Sequence, residues 1–145
     1  MRNAIGTVAA AVALLLLVAS TTAHADDAKK KARFCAALGT FENDVAALQS
    51  LGPGSTIGQL HAAADRVDAA AYKVQKTAGK IKSPTAKGFT QSVRQLNVDS
   101  KQIPRTLTIQ QAQSRIAGDV QNVKRSARQL ASESGCPEAA RRTSR

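Results

Sequence analysis

The sequence predicts an all-α protein: an antiparallel four-helix bundle closed by one disulfide and preceded by a cleavable signal peptide. Three observations predict it. Apolar residues recur at alternating gaps of three and four through four successive segments, the spacing that puts them on one face of a helix. No segment alternates apolar and polar residues as a half-buried strand does. The segments are joined by short stretches of Gly, Pro, Ser and Thr, which break or cap helices.

The first 25 residues stand apart. Arg2 supplies a short positive region, Ala4 to Val18 is an apolar run, and Ala23-His24-Ala25 is an A-x-A cleavage signal. Together these read as a secretory signal peptide cleaved after Ala25. The apolar run is shorter than the ~20 residues that span a bilayer as a helix. No cysteine follows the small residues, so a lipoprotein signal is absent, and no Arg-Arg pair suggests the twin-Arg route. Cleavage leaves 145 − 25 = 120 residues with a formal charge of 11 − 1 = +10, and His61 as the remaining histidine. The bundle domain is then 26–137, and 138–145 reads as a basic disordered tail.

In the first helical segment the apolar positions are Phe34, Leu38, Phe41, Val45 and Leu48. Leu51-Gly52-Pro53-Gly54 ends it. Thr56 with Gln59 forms a capping-box pattern at the head of the second segment. Its seam is Ile57, Leu60, Ala64, Val67, Ala71, Val74, Ala78 and Ile81, about three heptads with small alanine knobs. Ser83-Pro84 is expected to stop it, because the residue before proline is pushed out of the helical region. The third segment carries Ala86, Phe89, Val93, Leu96, Ser100 and Ile103, with Pro104 as its stop. Thr108 with Gln111 repeats the capping box. The fourth segment carries Ile109, Ala112, Ile116, Val120, Val123, Ala127 and Leu130, and Gly135-Cys136-Pro137 is a helix-terminating signal.

Cys35 and Cys136 are the two cysteines, one near each end of the predicted domain. In an exported chain an even count favours a disulfide, here closing a loop of about 100 residues. An even number of antiparallel helices brings both chain ends to one end of the bundle, which agrees with that bridge. The lengths do not match at once. Cys35 lies about 24 Å from the first loop at 1.5 Å per residue, while the fourth helix could run about 40 Å. Either the fourth helix ends early and folds back, or the helices are staggered.

Composition excludes several functions. One histidine and no mature methionine rule out His/Met or bis-His haem ligation, and Glu42, Glu133 and Glu138 form no Glu-x-x-His pair of a di-iron bundle. No G-x-S-x-G elbow surrounds a serine. His61 has Asp65 one turn on, which reads as an exposed histidine with a favourable neighbour rather than an oriented base. The expectation is therefore a protein that is not an enzyme and carries no cofactor or metal.

The feature above background is charge: 21 Lys+Arg against 10 Asp+Glu, a formal +11. Lys73, Lys76, Lys80, Lys82, Lys87, Arg94 and Lys101 outweigh the single acid Asp99 between residues 73 and 105, and Lys124, Arg125 and Arg128 add a second group. These ten residues are the expected anion-binding surface. Lys29-Lys30-Lys31-Arg33 and Arg141-Arg142-Arg145 put more positive charge at the two ends, expected near the Ser83-Pro84 turn. The implied partner is an anionic polymer or lipid headgroup of a cell envelope, met in a secreted or periplasmic location. Nucleic acid is not expected, because export separates the protein from it and stacking aromatics are few. The opposing class is a helical interaction module, homodimeric or paired with another protein through its seams.

Overall fold

A computed structural model describes residues 19–79 and 84–137. Four α-helices make up most of this, α1 (Ala19–Gln49), α2 (Ile57–Ala78), α3 (Pro84–Lys101) and α4 (Ile109–Glu133), and no strand occurs among the described residues. The expected signal-peptide run lies outside the described residues through position 18, as do Ile81, Lys80, Lys82 and the 138–145 tail. No described helix is long and apolar enough to cross a membrane.

Helix ends follow local chemistry. Thr56 caps α2 and Thr108 caps α4, each hydroxyl accepting from the backbone N–H three residues on while Gln59 or Gln111 accepts from the cap's own N–H. Such caps contribute about 1 kcal/mol each. Between α1 and α2, the Ser55 N–H donates to the Gly52 carbonyl at 2.9 Å, closing a turn with Pro53 at the position its fixed φ suits. The expected stop at Ser83-Pro84 needs correction. α2 ends at Ala78, followed by Gly79 at φ +62°, and Pro84 opens α3. Glycine takes the left-handed conformation without a Cβ clash, and proline is tolerated in a first helical turn because its missing N–H has no partner there.

α4 ends at Glu133 in a left-handed Gly135. The Gly135 N–H donates to the Ser132 carbonyl and the Cys136 N–H to the Ala131 carbonyl, at 3.0 and 2.9 Å. This is a Schellman arrangement. It turns the chain back and buries Cys136, which is bonded to Cys35 across a sequence separation of 101. The length mismatch is resolved by both expected routes. α4 folds back at Gly135, and the helices are staggered, since α4 runs on past the end of α1. There Gln113 Nε2 donates to the carbonyls of Gln49 and Leu51 at 3.2 and 3.0 Å, satisfying acceptors that a helix end leaves open.

α1 packs on α2, α2 on α3, α3 on α4, and α1 more narrowly on α4. Nearly every described seam residue is buried. Ala78 and Ala86 are partly covered, and Ile103 is buried although α3 stops at Lys101. At the centre the rings of Phe41 and Phe89 meet edge to face with centroids 4.9 Å apart. The core is wider than the seams predict, because Ala63, Ala70, Ala131 and Ser126 are also buried. It starts at Phe34. From Ala25 to Arg33 every residue of α1 is exposed, so the expected cleavage point lies in a helical stretch that contributes nothing to the core.

Candidate functional site

The basic residues are positioned by two different edges of the bundle. On α3, Lys87, Arg94 and Lys101 recur at sevens and so lie on one stripe. Lys101 pairs with Asp65 of α2 at 3.2 Å, so this stripe is the edge that α3 turns toward α2. Lys87 and Arg94 flank a groove of about 490 Å³ between α2 and α3, with Val74, Ala78, Ala86 and Phe89 beneath them. Lys73 and Lys76 are exposed on α2.

On α4 the charges are used differently. Lys124 is half-buried and donates to Gln49 Oε1 of α1 at 3.2 Å, while Arg125 and Arg128 are exposed. The eight described members of the expected set therefore fall on α2, α3 and α4. The structure brings Lys87 and Arg94 together at one groove and leaves Lys101 and Lys124 engaged with protein partners. Lys80 and Lys82 lie outside the described residues.

The expected convergence of the chain ends is present at the other charge group. Lys30 and Lys31 of α1, Thr77 of α2, Glu133 of α4 and Ser134 just past its end line a groove of about 400 Å³. The Lys31 amine comes so close to Gly135 that a Cβ there would meet it at 3.0 Å. Thr85, near the start of α3, hydrogen-bonds Glu133 in the same region.

His61 departs from its expected surface role. It is half-buried, and its Nε2 is buried without a hydrogen-bond partner among the described residues. Asp65, expected to face it, is held instead by Lys101 across the helix interface. Asn97, one turn from Lys101, likewise has a buried, unpartnered Nδ2. Among the described residues no three His, Cys, Asp or Glu side chains are grouped to hold a metal ion.

A polar ladder between α3 and α4 was not read from the sequence. Thr85 meets Glu133, Ser92 meets Ser126 with their hydroxyls 2.8 Å apart, and Asp99 meets Asp119. The rungs are seven residues apart on each helix, a spacing that carries information only once it is known that α3 and α4 pair. Burial between the helices, together with the hydrogen bond and negative charge of Asp99, raises the Asp119 pKa above the ordinary carboxylate value. Gln95 Nε2 also donates to Asp99 at 2.8 Å.

A carboxyl whose pKa is raised on folding stabilises the fold below its unfolded pKa, and that contribution disappears as pH rises through the folded value. Asp119→Asn keeps a donor toward Asp99 without needing a proton. We expect the variant to melt above the wild type at neutral pH, by less than about 1 kcal/mol for a part-exposed charge pair, with the gap closing on acidification. Melting curves from pH 3 to 7 check this, and a gap independent of pH would refute it.

No family model, curated protein or solved structure matches the chain.

Proposed function

We propose that this chain is an exported protein that binds anionic components of a cell envelope, polymer or lipid headgroup, through its basic surface, and that it acts by binding rather than catalysis. The observation that carries the reading is the pair Lys87 and Arg94, which form no ion pair among the described residues, flanking one groove, in a chain with a formal charge of +11. Cations beside a low-dielectric wall focus the field on an approaching anion.

Export is supported by the signal-like features of Met1 to Ala25 and by the Cys35–Cys136 disulfide, a bond that persists in oxidising compartments. An up-and-down course of the four helices is supported by their residue pairs. Partners on α4 step back from 133 to 126 to 119 as α3 advances from 85 to 92 to 99. Asp65 with Lys101, and Val74 beside Arg94, give the same sense to α2 and α3. The interaction-module alternative is weakened because the seam residues are consumed within the chain.

The test is binding of the purified, disulfide-bonded protein to a soluble polyanion and to phosphatidylglycerol vesicles across a salt series. Attraction that weakens steeply with salt is expected, with little loss for Arg125→Gln and a clear loss for Lys87→Gln/Arg94→Gln. Failure to bind both the polyanion and the vesicles at low salt would overturn the reading. So would tighter binding to duplex DNA than to both.

A further inference from the structure

The basic-surface reading leaves open which anionic partner is met and by which face. The chain has three Phe and one Tyr, and no Trp. Phe34, Phe41 and Phe89 are buried, whereas Tyr72 is 66% exposed. Among the described residues Val98 is the other large apolar residue left in solvent, at 42%. A single exposed apolar side chain is ordinary on a protein surface, so the weight falls on where these two are placed.

Tyr72 shares a helical stripe with Asp65, seven residues before it, and Val98 lies one turn from both Arg94 and Lys101, so helix periodicity puts each beside residues of the α2/α3 edge. On α2, Tyr72 falls between Asp65, which pairs with Lys101, and Gln75, which lines the groove. On α3, Val98 falls between Arg94, which lines the same groove, and Lys101. The ion pair and the groove thus bracket them on both helices. Lys87 and Arg94 flank one side, and Lys76, one turn on from Tyr72, adds a third exposed cation. Asp65 is neutralised by Lys101, and Asp68 is outweighed by the three cations.

We propose that this α2/α3 edge is a docking face for an anionic lipid bilayer, with Tyr72 and Val98 entering the headgroup layer and Lys76, Lys87 and Arg94 pairing with lipid phosphates. This rests on the basic-surface reading and narrows it from anionic envelope components to lipid. Tyrosine suits that depth because its ring is apolar and its hydroxyl stays wet. Each cation near an anionic leaflet strengthens attachment about fivefold. A soluble polyanion gains from the cations but has no use for an exposed Val98.

The single Tyr in a chain without Trp makes its emission a reporter of this face alone. The disulfide-bonded protein is mixed with phosphatidylglycerol vesicles, phosphatidylcholine vesicles and a soluble polyanion, and binding is followed by sedimentation and by acrylamide quenching of Tyr72. Expected are binding to phosphatidylglycerol but not phosphatidylcholine, protection of Tyr72 on those vesicles, and a loss of roughly fivefold or more for Tyr72→Ala. Tyr72→Phe, which keeps the ring, should sediment like wild type. Vesicle binding with Tyr72 fully quenchable and Tyr72→Ala unimpaired would overturn the face while leaving the cationic reading intact. Binding to the polyanion but not to vesicles would overturn the lipid assignment alone. Binding to neither would overturn both.

Discussion

Replacing Cys35 and Cys136 together by alanine is expected to cost about 3–5 kcal/mol and to lower the melting temperature by roughly 10–20 °C. The bond spans 101 residues, so it joins nearly the whole domain into one loop. In the chain-entropy account the cost falls on the unfolded state, and a loop near 100 residues contributes about 4.7 kcal/mol. Cys136 sits beyond the last turn of α4, held by the Gly135 reversal, and Cys35 is one residue from Phe34, where the core begins. The alanine pair keeps both positions apolar, so little packing is lost with the bond. Paired thermal melts of wild type, oxidised and reduced, and of the double variant measure the effect. Coincident melts for all three would show that the helices hold their ends together without the bond.

Phe89→Ala should be as damaging, about 3–5 kcal/mol. Phe89 is 1% exposed and packs edge to face on Phe41, itself wholly buried. Phe41 comes from α1 and Phe89 from α3, two helices whose backbones do not approach each other closely. The ring pair therefore spans the middle of the bundle, and truncation leaves a cavity that four separate helices would have to close. A domain of this size has about 5–15 kcal/mol to lose in total, so the variant is expected to sit near its unfolding midpoint at moderate temperature. Tyr72→Ala, by contrast, should stay within about 0.5 kcal/mol because its ring is in solvent. Chemical denaturation of the two variants side by side checks the difference. A Phe89→Ala midpoint indistinguishable from that of Tyr72→Ala would mean the rings do not hold the core.

The contrast between Phe89 and Tyr72 marks what could be read from the sequence. Phe89 falls on a seam of alternating threes and fours, and its burial follows from that spacing alone. Tyr72 is one position past the seam residue Ala71, so its exposure is implied, but nothing along the chain says that its side of α2 meets α3, as the Asp65–Lys101 pair shows. His61 failed for the same reason. A turn's spacing toward Asp65 suggested a surface pair, while the partner that took Asp65 was Lys101, on a different helix.

By itself the sequence determined the four helices, their caps at Thr56 and Thr108, the buried seam and the Cys35–Cys136 pairing. Each of these depends on residues within a few turns, or on there being two cysteines. Tertiary structure alone decided the stagger of α4 past α1, the Asp99–Asp119 rung, and the placing of Lys87 and Arg94 on one groove while Lys101 and Lys124 engage protein partners. The physical reason is that a helix's own periodicity sets which way a side chain faces. The height at which it meets a residue of another helix is set by how two side-chain surfaces interlock, and that is not written in either helix separately.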